Sequence, residues 1–194
     1  MAVSKAMEIK FITSNKAKIA AARMVFGEYG ISVKQRKAGI EELQHIDVKT
    51  VAIHKAKEVL KAFGSMFLVE DSGLYVDAWN GFPGALLKPT IDAVGEGGLL
   101  DMLNGKRRTA TFMCVAVLYR PRIGFRTFEF PVKGTLSREL RGRKIEGWAV
   151  DRLFVPDSYR KTIAEMSLPE YEEYIKGSNS HYGKVARYLM HRRT

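Results

Sequence analysis

The 194-residue chain has one cysteine, six prolines and two tryptophans, and only 21 acidic residues against 32 lysines and arginines. Each shortage excludes something. Cys114 cannot close an internal disulfide, and within Thr111-Phe112-Met113-Cys114-Val115-Ala116-Val117 it reads as core packing. No apolar signal core stands behind Met1-Ala2-Val3-Ser4-Lys5, so no secretion signal is expected. That and the lone cysteine make cytoplasm the expected compartment. No apolar run approaches the length of a membrane span, so no membrane partner is expected. Zinc-ligand spacings, a basic zipper and recognised RNA motifs are missing. Internal repeats and low-complexity segments are missing too.

What is present begins with charge. The net charge of +11 suits an anionic partner: nucleic acid, an acidic membrane or a phosphorylated small molecule. The basic clusters Lys106-Arg107-Arg108, Arg141-Gly142-Arg143-Lys144 and His191-Arg192-Arg193 are short and scattered. They fit solvated turns and a charged tail better than a nucleic-acid face. With 46% hydrophobic residues, the chain reads as one domain over 1–194. There is room for a smaller lobe around 105–150, but no linker marks it.

The apolar run Met66-Phe67-Leu68-Val69 ends in Glu70-Asp71-Ser72-Gly73-Leu74. This predicts a buried strand, 66–70, emerging into a small-residue turn. Strand side chains alternate between faces, so Glu70 and Asp71 should point opposite ways. Carboxylates there are costly to bury unless a cation or donors meet them. The pair is therefore either a site or simply an acidic turn.

Other elements surround it. Residues 8–13 predict a first strand. Asn15 caps a helix over 16–29, in which Ile19, Ala22 and Phe26 recur at helical spacing. Residues 32–37 fit a second strand. Asp47 caps and Gly64 stops a helix whose stripe is Val48, Val51, Ala52, Ala56, Val59, Leu60 and Phe63. Lys55 fills the vacant place in that stripe. It either snorkels to the rim or reaches an anion in a cleft. Gly81-Phe82-Pro83-Gly84 fits a rigid turn, residues 99–103 a short helix, 109–119 and 127–132 a hairpin, and 180–192 a last helix. The expected fold class is α/β with a mixed central sheet and flanking helices.

Thr13-Ser14-Asn15-Lys16-Ala17-Lys18 joins the first strand to the first helix, and helix N-termini attract anions. The segment lacks the glycines of a Walker loop. Glu42 is a third carboxylate, free either to face solvent or to join Asp71. Together the two can hold Mg²⁺, which prefers oxygen ligands and usually bridges to phosphates. Lys18, Lys55 and Lys161 can neutralise a triphosphate and the charge on its leaving group.

Over residues 10–189 the chain resembles the Ham1-type inosine triphosphate pyrophosphatases. The matching blocks are Thr13-Ser14-Asn15 with Lys18, Glu42-Leu43-Gln44, Ala52-Ile53-His54-Lys55-Ala56, Asp71-Ser72-Gly73-Leu74 with Gly81-Phe82-Pro83-Gly84, and Lys161-Thr162-Ile163-Ala164-Glu165-Met166. The resemblance implies two lobes around a substrate cleft and a homodimer. It also implies Mg²⁺-dependent hydrolysis of ITP, dITP and XTP to the monophosphate and pyrophosphate. Asp71 and Glu42 match residues that serve the metal and the attacking water. Asn15, Lys18 and Lys55 match phosphate-holding residues, and Ser72 and Gly73 match a turn approaching the triphosphate.

The base half departs from the family pattern. An aromatic-Gly-aromatic-Asp-Pro run is replaced by Trp148-Ala149-Val150-Asp151-Arg152. Trp148 can still stack on a purine, and Asp151 can still bond a base edge. Ser-His-Arg becomes Ser180-His181-Tyr182, and a phenol cannot replace a bidentate cation. Ser14, Val51 and Ser158 also replace family residues. Triphosphate hydrolysis is expected to survive with altered base selectivity. The rivals are a Maf-like pyrophosphatase of other modified nucleotides and a catalytically weakened nucleotide- or RNA-binding relative.

Overall fold

The structure, a computed structural model, describes residues 7–177 and 180–191. β1 (Met7–Ile12) buries Ile9 and Phe11 at alternate positions. It leads into α1 (Lys16–Gly27), where the Asn15 side-chain oxygen accepts hydrogen bonds from the Ala17 and Lys18 N–H groups. Such a cap is worth about 1 kcal/mol. β2 is Ile31–Arg36. Asp47 caps α2 (Val48–Ala62), which buries Val48, Val51, Ala52, Ala56 and Val59 along one stripe. Then follow β3 (Phe67–Val76), β4 (Pro83–Gly84) and α3 (Leu87–Met102), the last broken at Gly95 (φ 69°). β5 (Thr109–Arg120) and β6 (Gly124–Leu136) form a long hairpin. β7 (Phe154–Pro156), α4 (Leu168–Lys176) and α5 (His181–His191) complete the described chain.

The mixed sheet runs β2-β1-β3-β5-β6-β7, with β4 paired to β3 alone. β1 is parallel to β2 and β3, and every other pair is antiparallel. The connections β1-α1-β2 and β2-α2-β3 step in opposite directions across the sheet. Crossovers of one hand therefore place α1 and α2 on opposite faces. Packing agrees. Ile19, Ala22 and Phe26 of α1 and Val185 and Leu189 of α5 share a cluster with Phe11 and Leu68. Val48, Ala52 and Val59 of α2 pack with Val69, Val115 and Val117 on the other side. A further cluster joins Leu74, Leu87, Leu99, Phe112 and Phe154 at the far end of the sheet.

Register creates a gap. Along one edge, β3 is paired throughout with β5. Along the other, β1 pairs only with Phe67 and Leu68, and β4 only with Leu74 and Tyr75. Residues 69–73 thus face an opening between the end of β1 and the start of β4, beside the N-terminus of α1. Ligand crevices of open α/β sheets form where crossovers diverge in this way.

Three expectations need correction. The strand does not end at Glu70 but continues through Asp71, Ser72 and Gly73, because β5 offers a partner at each of these positions. The helix expected over 99–103 is the end of α3; burial of Leu87 and Leu99 holds that helix despite its glycines. Residues 127–132 belong to a strand of 13 residues, since β5 pairs with it from Gly124 to Thr135. Within the predicted last helix and charged tail, Arg192 and Arg193 lie outside the described residues, as does the 1–6 segment.

Candidate active site

The gap in the sheet opens into a cavity of about 960 Å³. Of the residues singled out in the sequence, Thr13, Ser14, Asn15, Lys18, Glu42, Lys55, Glu70, Asp71, Ser72, Trp148 and His181 line it. Alternation divides the acid pair between the faces of β3. Glu70 lies on the α1 side, where Lys18 Nζ stands 2.9 Å from its carboxylate. Asp71 lies on the α2 side, where Lys55 Nζ stands 3.6 Å from Oδ2 and donates to Glu42 Oε1 at 2.7 Å. Asp71 Oδ1 accepts from the Ser72 N–H at 2.8 Å. Of its two readings, Lys55 takes the second, reaching inward to carboxylates.

Electrostatics follow from this pairing. Burial works against the charge on Lys18, but Glu70 and Asp71 outweigh it and hold its pKa above the ordinary lysine value. The hydrogen bond from Lys55 holds the Glu42 carboxyl below the usual carboxylate range, with its charge adding to the effect. Glu70 has a side chain only 2% exposed, so its charge is tolerable only beside a cation. Glu42 and Asp71 converge on a single ammonium. Two carboxylates meeting one cation are a donor set that fits a hard divalent ion.

Asn15 serves position. Its oxygen caps α1, and its Nδ2 donates to Gly147 O at 2.9 Å, tying the start of α1 to the segment before Trp148. Lys16 and Glu146 add an exposed ion pair at 3.2 Å. Trp148 stacks on Phe112 with centroids 5.9 Å apart and donates Nε1–H to Tyr171. Phe112, Phe130 and Tyr174 extend this aromatic wall. His181 is 8% exposed; burial first, then Lys18 and Lys184, hold its pKa down at about 3, so the imidazole is neutral.

Several expected site residues lie elsewhere. Asp151 is fully buried and outside the cavity lining, where it accepts from Lys144 Nζ and the Ile145 N–H at 2.5 Å each. Its carboxylate anchors the 144–151 loop. Lys161 is also outside the lining and pairs with Glu170 at 2.8 Å. Gly73 is a packing position: a Cβ there would stand 2.3 Å from the Gly84 carbonyl oxygen. Tyr182, by contrast, borders the cavity although only 3% exposed; its ring packs edge-on to Phe11 and its hydroxyl donates to Lys18 O. Lys184 and Arg187, further along α5, are engaged outside the cavity lining. Lys184 donates to Glu129 O and Arg187 to the Tyr29 hydroxyl.

Sequence reasoning missed Lys37, Lys88 and Lys144 in the lining. Lys144 lies in a basic cluster that reads as a solvated turn, and Lys37 and Lys88 are isolated lysines that carry no signal. Phe112 and Phe130 had one: Phe130 is paired with Cys114 across β5 and β6 and Phe112 stands two residues before Cys114, at alternating positions that read only as core.

Comparison with known proteins places the chain in a family and a fold. The chain is 33% identical over 165 residues to a Methanopyrus kandleri protein named dITP/XTP pyrophosphatase, covering 84% of this chain and 87% of that one. A Thermococcus kodakarensis protein of the same name is 33% identical over 182 residues, covering 93% and 94%. Among solved structures, the nucleoside-triphosphatase / dITP/XTP pyrophosphatase of Mycobacterium abscessus superposes with a TM-score of 0.70 at 26% identity, covering 95% and 99%. The Staphylococcus aureus Ham1 protein shares the fold, with a TM-score of 0.74 at 24% identity over 95% and 99%. The model of the Ham1 family matches residues 9–191, from the first strand to the end of α5, and the chain belongs to that family.

Proposed function

We propose that this chain hydrolyses nucleoside triphosphates of non-standard purines, ITP, dITP and XTP among them, to the monophosphate and pyrophosphate. The observation that carries the reading is the approach of Lys18 and Lys55 to Glu70 and Asp71 from opposite faces of β3, at the gap beside the N-terminus of α1. The relatives' name, dITP/XTP pyrophosphatase, supports the choice of substrate.

The chain's own groups divide the work. Lys18, Lys55 and the α1 N-terminus hold the phosphates, and Lys37 and Lys88 add positive charge at the rim. Asp71 orients the attacking water and accepts its proton. As the water oxygen bonds to phosphorus, the α–β bridge breaks and pyrophosphate departs. Glu42 and Asp71 would hold Mg²⁺, which supplies charge neutralisation on the leaving phosphates. Trp148, Phe112 and Phe130 offer a stacking wall for the base, and His181 a neutral polar edge within it. A homodimer and a cytoplasmic setting belong to the same reading, as does an internal division into two lobes around the cavity.

The test is phosphorus NMR of the protein with Mg²⁺ and ITP, XTP, GTP or ATP in turn. The expected products are pyrophosphate and monophosphate from ITP and XTP, with less from ATP. Orthophosphate release would mean a different bond is cut. Asp71→Asn should cost about 10² or more in kcat, in line with loss of a positioned acid–base group. Unchanged turnover in that variant would refute the role given to Asp71.

A further inference from the structure

Cys114 and His181 take no part in the reaction just described as metal ligands, yet they meet Glu70 on the α1 side of the sheet. Glu70 on β3 and Cys114 on β5 are diagonal neighbours, because Ser72 is paired directly with Cys114. His181 opens α5 above them. One ligand atom from each of the three residues lies within 4.8 Å of the others, and all three residues are buried. Among the described residues, this is the group whose donors include nitrogen and sulfur as well as oxygen.

The group contains unmet hydrogen-bonding capacity. Both ring nitrogens of His181 are buried without a hydrogen-bond partner, while the neighbouring Glu70 Oε2 has the Lys18 ammonium at 2.9 Å. Buried polar atoms are nearly always satisfied, so two bare nitrogens on one ring call for an explanation. A neutral imidazole with a free lone pair is also the form that binds metals.

We propose that Glu70, Cys114 and His181 form a binding site for a borderline-soft divalent cation of the Zn²⁺ class, separate from the carboxylate pair Glu42 and Asp71. An oxygen, a nitrogen and a sulfur ligand favour zinc over magnesium, whereas two carboxylates favour the reverse. Bonds of about 2.0–2.3 Å to a tetrahedral ion set ligand atoms about 3.5 Å apart, so the three side chains must draw in by roughly 1 Å. The cavity leaves a fourth position for water. On binding, the Cys114 thiol releases its proton to solvent and the thiolate bonds the metal. The cation takes over from Lys18 the neutralisation of Glu70, and the Lys18 ammonium swings into the cavity. An ion held there displaces a phosphate-holding lysine, so zinc acts as an inhibitor even with Mg²⁺ in excess.

The inhibition rests on the nucleotide reading, but the metal site does not, because its test detects the metal directly. The full chain is titrated with Co²⁺ as a spectroscopic stand-in for Zn²⁺, with Mg²⁺ in excess to occupy the carboxylate pair. The expected result is one equivalent bound per chain, with a thiolate-to-cobalt charge-transfer band that Zn²⁺ abolishes. Cys114→Ser should lose the band and bind Zn²⁺ about tenfold or more weakly, while keeping its Mg²⁺-supported turnover. Lys18→Met, freed of the competing ammonium, should bind Zn²⁺ more tightly and melt at a higher temperature with Zn²⁺ than without. Three results would overturn the proposal: no cobalt bound up to millimolar concentration, cobalt bound with no thiolate band, or a band and Zn²⁺ affinity unchanged in Cys114→Ser.

Discussion

His181 couples the site to pH. Its folded pKa of about 3 lies below the ordinary value of 6.5, so between these values the unfolded chain takes up a proton that the folded chain refuses. Stability is fully present above pH 6.5 and falls as pH drops toward 3, with a slope of up to about 1.4 kcal/mol per unit from this one residue. Urea melts of metal-free protein between pH 7 and pH 4 should record that loss. His181→Gln, which cannot titrate, should flatten the slope; an unchanged slope would assign the loss to other groups. The pairing of Lys18 with Glu70 and of Lys55 with Asp71 was not read, both lysines being assigned to phosphates, but the separation of Glu70 from Asp71 by strand alternation and the break Lys55 makes in an apolar stripe were legible. The roles of Asp151 and Lys161 were not. A carboxylate and a lysine look the same in sequence whether they face a cavity or neutralise Lys144 and Glu170.

β3 and β4 show how an element can mislead. Ser72-Gly73 has turn composition, yet it lies within a strand because β4 must pass close by. A Cβ on Gly73 would stand 2.3 Å from Gly84 O and 2.7 Å from a Val48 methyl. Gly84 is itself at φ 57°, pressed against the Ile46 carbonyl. Gly73→Ala should therefore cost roughly 1–3 kcal/mol, which in a chain of this size lowers Tm by about 2–4 °C per kcal/mol. It should also lower kcat by shifting Asp71 and Ser72, whereas a melting temperature within a degree of wild type would mean β4 yields freely. The capped helices were readable because Asn15 and Asp47 announce their starts. α3 was not, because its glycines and Pro89 argue against a helix that only tertiary burial of Leu87 and Leu99 sustains. Close backbone approach and burial are long-range facts, and no local window contains them.

The molecule as a whole carries +11, and its cavity is ringed by lysines. An anionic substrate is drawn in by that field, which salt screens over about 10 Å at 0.1 M. Raising KCl from 50 to 500 mM should lower kcat/KM for ITP by about threefold or more, with kcat nearly constant. A salt-insensitive kcat/KM would show that encounter is not steered. β5 also has a consequence for how the molecule loosens. It is bonded on both sides along almost its whole length, to β3 and to β6, and its two faces belong to the packing of α1 and α2. Its amide protons can reach deuterated solvent only when the entire sheet parts. The floor of the cavity, Phe112 and Cys114 included, is therefore the last segment to open, whereas the 37–46 loop can breathe and carry Lys37 and Glu42 out of the site while the floor stays shut.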